Sequence, residues 1–169
     1  MCIRDSPYTP DQEQEWKVDF PRLMLRSAAI QSRRGRMPRS AHLLARTDLQ
    51  GKIATTIPLL VNAADTSRVA RTIMEKTAGI ARDRLLPSYA KVRFTKWFRR
   101  RVPDTNGPSR GTVALFPTCL VEYQDTAIGK AVVGVYERNG IRCEVPEGQV
   151  CCGMPWLDAG DTDKFEQHA

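Results

Sequence analysis

The sequence predicts an α/β fold in which a basic helical arm precedes a small unit of parallel strands. Thr112–Phe116 is a short apolar run of strand length, and Ile141–Val145 alternates apolar and charged residues. Between them, Thr126–Arg138 has helical spacing of its apolar residues, and Asn139-Gly140 is a helix-stop signal. A strand, a helix and a strand of this length form a βαβ unit. The two strands should therefore be parallel, with a right-handed crossover.

Charge divides the 169-residue chain into two parts. Residues 17–101 hold 20 Lys and Arg against 5 Asp and Glu, whereas residues 102–169 hold 5 against 10. We therefore expect a basic helical connector at residues 7–101, a Pro- and Gly-containing linker at residues 102–111 and an acidic α/β unit at residues 112–169. No apolar run is long enough for a membrane span, and the first residues lack the apolar segment of a signal peptide.

The arm is predicted to form a series of helices that Pro and Gly interrupt. Asp19 is a candidate N-cap of the first helix, and Asp48 is a candidate N-cap of the third. Thr66–Thr77 is a further predicted helix, with Val69, Ile73 and Met74 turned inward. The apolar stripes of these helices are thin, so we expect the arm to need a partner or further sequence to bury them.

Cysteines follow both predicted strands, at the point where each strand ends. Cys119 comes after the first strand, and Cys151 and Cys152 come after the second. Because the carboxyl ends of parallel strands lie at one edge of a sheet, we expect the three thiols to meet there. Cys143 lies within the second strand and is expected in the core.

Thiolates bind soft metals and carry out redox chemistry, which makes this edge a candidate metal centre. The chain has five cysteines and no export signal, which favours metal or redox use over structural disulfides. The alternatives are two buried free thiols or a strained vicinal disulfide at Cys151-Cys152.

The motif Phe116-Pro117-Thr118-Cys119, a spacer of 31 residues and the motif Cys151-Cys152-Gly153-Met154-Pro155 resemble the first half of the cysteine-rich CCG domain. That domain occurs in iron–sulfur oxidoreductases related to heterodisulfide reductase and to anaerobic glycerol-3-phosphate dehydrogenase. In the family pattern a Cys-x-x-Cys follows further along the chain, and this sequence ends before it. The resemblance therefore implies a truncated fragment with an incomplete site.

The same resemblance implies roles for four residues. Cys119, Cys151 and Cys152 would be metal ligands, and Gly153 would allow the backbone to approach the bound group closely. The bound group would be an iron–sulfur cluster, either 4Fe–4S or non-cubane, or zinc. No catalytic residue is predicted.

The amino-terminal part of the arm carries a second, weaker resemblance. Val18–Leu23 resembles the segment that follows the second cluster motif of a two-cluster ferredoxin domain, and in that family Pro7 would directly follow the last cluster cysteine. Residues 1–6, which include Cys2, resemble a translated sequencing adapter and are excluded from the fold. We therefore expect a connector after a missing ferredoxin domain, followed by the first half of a CCG domain.

By resemblance, the parent protein passes electrons between 4Fe–4S clusters and a redox partner, namely a flavoprotein, a ferredoxin or a quinone-linked complex. We expect a cytoplasmic protein, with peripheral association at the cytoplasmic membrane face through the basic arm. The fragment itself is expected to be inactive.

The alternative is a non-enzymatic basic binding module with structural cysteines, for nucleic acid or an acidic partner. Lys and Arg attract phosphates, and Phe94, Trp97 and Phe98 could stack on bases. No recognised nucleic-acid module frames these residues, so nucleic acid is not expected.

Overall fold

A computed structural model describes residues 19–84, 86–103 and 110–168 of the chain. The predicted adapter remnant at residues 1–6 and most of the predicted linker at residues 102–111 lie outside this part. The elements are, in chain order, α1 (Phe20–Arg33), α2 (Arg39–Ala45), α3 (Thr47–Ala54), α4 (Pro58–Thr66), α5 (Arg68–Ala78), α6 (Phe94–Arg100), β1 (Gly111–Ala114), α7 (Cys119–Tyr123), α8 (Thr126–Arg138), β2 (Ile141–Glu144), α9 (Met154–Asp158) and α10 (Thr162–Glu166). The described residues form two compact units, one within residues 46–152 and the other within residues 1–45 and 153–169.

The unit of residues 46–152 contains the predicted βαβ arrangement. Strands β1 and β2 pair in parallel, with Gly111 opposite Ile141 and Ala114 opposite Glu144. Helix α8 connects them and spans the residues that its apolar spacing predicts. The predicted α/β class with parallel strands is therefore confirmed.

The core of this unit lies between the sheet, α6 and α8. Phe94, Val133 and Cys143 are its buried centre. Gly129 brings α8 close to α6, because a Cβ at this position would lie 2.6 Å from both the Phe94 ring and the Val121 side chain. The prediction that Cys143 belongs to the core is confirmed. The partly buried residues packed against this centre are Trp97, Phe98, Val113, Leu115, Val121, Tyr136 and Val145.

Helices α4 and α5 pack against each other in the same unit. Helix α5 ends, as predicted, at Gly79, which adopts the left-handed conformation with φ of 71°. The prediction that Val69 and Ile73 face inward is wrong, since they are 72% and 58% exposed, whereas Met74 of the same predicted stripe is partly buried. The buried position of α5 is instead Arg71, whose guanidinium donates to backbone carbonyls, including that of Ala81 at 2.8 Å. No helix within the described residues is long and apolar enough to cross a membrane.

The other unit combines α1 and α2 with α9 and α10. Asp19 caps α1 as predicted, because its carboxylate accepts a hydrogen bond from the Arg22 backbone N–H at 3.0 Å. Trp156 is buried and meets the His42 ring edge-on at 5.4 Å. Helix α9 contacts both α1 and α2. Helices as short as α2 and α9 are stabilised by such tertiary packing, because short helices are unstable in isolation.

Candidate metal centre

The three predicted ligands lie in the unit of residues 46–152, after the carboxyl ends of the strands. Cys119 is the first residue of α7 and is partly buried, whereas Cys151 is buried and Cys152 is exposed in the segment after β2. Cys119 and Cys151 line one cavity of about 550 Å³. Cys152 directly follows Cys151 in the same segment. The thiols thus share one region, and their role as ligands stays a prediction.

The amino-terminal turn of α3 contacts the cysteine segment. The Asp48 carboxylate accepts a hydrogen bond from the Cys151 backbone N–H at 3.0 Å and another from the Tyr123 hydroxyl at 3.2 Å. The Thr47 hydroxyl donates to Cys151 Sγ at 3.4 Å. The prediction that Asp48 caps α3 is therefore wrong. The cap is Arg46, without a side-chain cap bond, and the Asp48 carboxylate is committed to distant donors.

Sequence reasoning misses both Thr47 and Asp48 as site residues. Their partner Cys151 lies 104 and 103 positions further along the chain, and nothing in the local pattern connects the two segments. A Thr-Asp pair at the start of a helix is an ordinary helix-initiation signal. In the sequence, that signal gives no reason to expect a contact with the cysteines.

The Cys119 thiol sits in surroundings that favour its neutral form. Burial raises the pKa of Cys119, and negative charge at Cys151, Cys152 or Asp48 acts in the same direction, while a hydrogen bond from the Leu120 backbone N–H opposes it. A thiol must lose its proton to ligate a metal, so metal binding at Cys119 would release a proton and become tighter as pH rises.

Several other polar side chains line the cavity, among them Glu122 and Gln149. Glu122 is buried, but both of its oxygens accept hydrogen bonds from Thr95, from the backbone N–H at 2.9 Å and from the hydroxyl at 2.7 Å. Gln149 donates to the Leu115 carbonyl at 3.0 Å, and its own Oε1 is buried with no hydrogen-bond partner among the described residues. Glu122 is thus structural, whereas Gln149 offers an acceptor beside the thiols.

Gly153 has a conformational reason to be glycine. Its φ is 76°, at the start of α9, and a Cβ here would lie 2.9 Å from the Phe165 ring and 3.2 Å from His168 Cβ. A larger residue would be strained and would collide with the turn that follows α10. Its predicted role next to a bound group stays a prediction.

The donor set fits an iron–sulfur cluster or zinc in its chemistry. Thiolates are the usual ligands of iron–sulfur clusters and common ligands of zinc, and the cavity beside Cys119 and Cys151 offers space. Across residues 19–84, 86–103 and 110–168, no three His, Cys, Asp or Glu side chains are arranged as a metal site. The described residues therefore present suitable donors that are not arranged for a metal.

Comparison with known proteins identifies the cysteine segment. Residues 113–169 match the family described as CCG, cysteine-rich domain. The chain is 30% identical over 127 residues to the C subunit of anaerobic glycerol-3-phosphate dehydrogenase from Escherichia coli K12, which covers 75% of this chain and 32% of that protein. It is 51% identical over 55 residues to lactate utilization protein A of Bacillus thuringiensis strain Al Hakam, 32% of this chain and 23% of that protein.

The chain thus spans about a third or less of the length of these curated relatives. No solved structure gives a significant match to it. The family match contains all three predicted ligands and Gly153, together with the parallel strand β2 and the helix α8. Residues 113–169 of this chain belong to the cysteine-rich CCG-domain family.

Proposed function

We propose that this chain is part of an iron–sulfur electron-transfer protein within an oxidoreductase, in which Cys119, Cys151 and Cys152 ligate the metal group. The observation that carries the proposal is the shared cavity of Cys119 and Cys151 within a segment that matches the CCG family. The relatives support it by their names, a dehydrogenase component and a lactate utilization protein, which both point to redox metabolism.

An iron–sulfur cluster, when bound, supplies one-electron transfer. The protein's own contribution is to hold the thiols and to exclude water from part of the site. Cys151 is 8% exposed and Cys119 is partly buried, so both residues have limited contact with bulk water. The exposed Cys152 lies on the solvent side, where a redox partner would approach.

The proposal includes a partner protein. Residues 17–101 carry an excess of positive charge, and α6 presents Lys96, Arg99 and Arg100 at the surface. Such a surface attracts an acidic partner over long range and loses that attraction as salt is added. The dehydrogenase relative is named as one of several subunits, which supports assembly with other proteins. We propose a flavoprotein or a quinone-linked protein as the partner.

The test is a metal analysis of protein purified without oxygen. Iron, sulfide and zinc are measured per chain, with paramagnetic resonance spectra, in the wild type and in a Cys151→Ser, Cys152→Ser double variant. We expect the full-length protein that contains this chain to hold iron and sulfide, and the double variant of that protein to hold less of both. Cys143→Ala is the matched control, because Cys143 packs in the core and should leave the metal content unchanged.

The outcomes separate three possibilities. Loss of iron and sulfide in the double variant alone supports a cluster at these thiols. Zinc in place of iron would retain the site and replace electron transfer with a structural or Lewis-acid role. Equal metal content in the wild type and the double variant would contradict ligation by Cys151 and Cys152.

A further inference from the structure

The hydrogen bonds of Asp48 connect the two segments that carry the predicted ligands. One carboxylate oxygen binds the Cys151 backbone N–H at 3.0 Å, and the other binds the hydroxyl of Tyr123 at 3.2 Å. Tyr123 ends α7, the short helix that begins at Cys119. Asp48 therefore bridges the Cys119 helix and the Cys151 segment, which are separated along the sequence by α8 and β2.

This bridge is held in place by close packing. Tyr123 is 5% exposed, and its ring lies against α3 where Gly51 leaves room, since a Cβ at Gly51 would be 2.3 Å from the ring. The Tyr123 carbonyl accepts a hydrogen bond from the Ala90 backbone N–H at 2.8 Å. A buried tyrosine that is fixed by its ring and its backbone gives the Asp48 carboxylate a rigid support.

The Thr47 hydroxyl contacts the predicted ligand itself. It donates a hydrogen bond to Cys151 Sγ at 3.4 Å, and Cys151 is buried. A hydrogen bond to a ligand sulfur stabilises negative charge on that sulfur, and outer-shell contacts of this kind orient the ligand.

Helix initiation alone does not account for this arrangement. An acidic residue in the first turn stabilises a helix through the helix dipole. Asp48 would make this contribution to α3 without any particular hydrogen-bond partner. Here both carboxylate oxygens are occupied by donors from outside α3, and the cap residue of α3 makes no side-chain cap bond. The hydrogen bonds of the Thr47 and Asp48 side chains go to Cys151 and Tyr123 rather than to the backbone of α3.

We infer that Thr47 and Asp48 are positioning residues of the thiol site: Asp48 fixes the spacing between Cys119 and Cys151, and Thr47 orients the Cys151 sulfur for a thiophilic metal ion. The metal-binding half of this inference rests on the proposed function. The backbone half, the fixing of the Cys151 amide by Asp48, stands on the described contacts alone.

The test uses the whole chain in reduced form and cobalt(II) as the probe, because thiolate ligation of cobalt gives a charge-transfer absorption. Affinity is measured by titration for the wild type, Asp48→Ala, Thr47→Val and Thr47→Ser. Thr47→Val keeps the side-chain shape and removes the hydroxyl, whereas Thr47→Ser keeps the hydroxyl. We expect Asp48→Ala and Thr47→Val to lower cobalt affinity about 10–100-fold, the usual effect of losing an outer-shell contact, and Thr47→Ser to stay near the wild type.

Amide hydrogen exchange tests the backbone half without any metal. Asp48→Ala should speed exchange of the Cys151 amide at least tenfold, while Thr47→Val should leave it unchanged. Asp48→Asn is the matched control, since its amide oxygen can accept from Cys151 and its amide nitrogen can donate to the Tyr123 hydroxyl. The core amide of Val133 must keep its protection in every variant, which excludes global unfolding.

The results distinguish the two proposals. If the wild type binds cobalt and both Asp48→Ala and Thr47→Val bind it equally well, the positioning role is overturned and the proposed function stands. If the wild type shows no thiolate–cobalt absorption, the proposed function fails and the metal-binding half of the inference fails with it. Unchanged exchange of the Cys151 amide in Asp48→Ala would overturn the backbone half.

Discussion

Arg101 Nη2 lies 2.7 Å from Glu137 Oε1, and the two side chains are only 10% and 5% exposed. The pair joins the end of α6 to α8, so the basic stretch before residue 102 is fixed to the helix of the βαβ unit. The guanidinium also stacks 3.5 Å from the centre of the Phe98 ring, while its Nε is buried without a hydrogen-bond partner among the described residues. A buried pair of this kind is costly to break from one side.

Breaking this ion pair from one side should destabilise the protein. Arg101→Met or Glu137→Leu leaves the other charge buried and uncompensated, which we expect to cost about 3–5 kcal/mol in the free energy of unfolding. The double variant removes both charges and should be less destabilised than the more damaged single variant. Urea denaturation of the wild type, the two single variants and the double variant measures the coupling free energy between the two side chains. Additive losses in the double variant would show that the pair does not interact.

Local patterns predict the βαβ unit because its signals lie within a few residues of each other. Asn139-Gly140 stops α8 where a helix-stop signal should. Apolar alternation places Cys143 in β2 and in the core. Each of these features depends on backbone geometry and residue type, which sequence reading covers directly.

The predictions that the structure contradicts concern contacts between residues that are far apart in the sequence. Helical spacing identifies the stripe of Val69 and Ile73, but spacing cannot tell which stripe finds a partner, and here the buried position is Arg71. The role of Asp48 depends on an amide 103 residues away. The candidate ligands can therefore be predicted from the sequence, and their supporting contacts cannot.

Gly129 and Gly134 form a matched pair of glycines in α8. A Cβ at Gly129 would lie 2.6 Å from the Phe94 ring, whereas a Cβ at Gly134 would meet no atom within 4 Å. Gly129→Ala should therefore destabilise the fold by about 1–3 kcal/mol through overpacking. Gly134→Ala should stabilise it by up to about 1 kcal/mol through helix propensity. Thermal and urea denaturation of both variants measure the two changes in the free energy of unfolding. Changes of the same sign would contradict the close packing of α8 on α6.

Tyr123 should make stability fall in alkaline solution. Burial raises the pKa of Tyr123 above its ordinary value of 10.0, and the nearby Asp48 carboxylate raises it further. The folded state therefore holds the phenolic proton more tightly than the unfolded state. The resulting stability is fully present below about pH 10 and is lost as pH rises through the raised pKa of the folded state.

Tyr123→Phe tests this dependence. At neutral pH the variant should be less stable by about 0.5–1.5 kcal/mol, because the hydroxyl's hydrogen bond to Asp48 is lost. Above about pH 10 the difference in the free energy of unfolding between the two proteins should narrow. The wild type loses stability there as Tyr123 loses its proton on unfolding, whereas phenylalanine has no proton to lose. The free energy of unfolding is measured for both proteins from neutral pH upward. A difference in the free energy of unfolding that stays constant with pH would show that the pKa of Tyr123 is the same in the folded and unfolded states.

The four described cysteines should react with iodoacetamide at very different rates in the metal-free, reduced chain. Cys152 is exposed and should be modified first, and the partly buried Cys119 should follow more slowly, because burial also raises its pKa and leaves less thiolate. Cys151 and Cys143 are 8% and 4% exposed and should react last. Timed labelling with peptide mass spectrometry gives the four rates, and labelling in concentrated urea, where burial is lost, is the control. Equal reaction rates of Cys151 and its neighbour Cys152 in the native chain would contradict the burial of Cys151. Two adjacent cysteines in a mobile segment would be equally accessible to the reagent. That result would therefore mean that the contacts from Thr47 and Asp48 do not keep Cys151 buried.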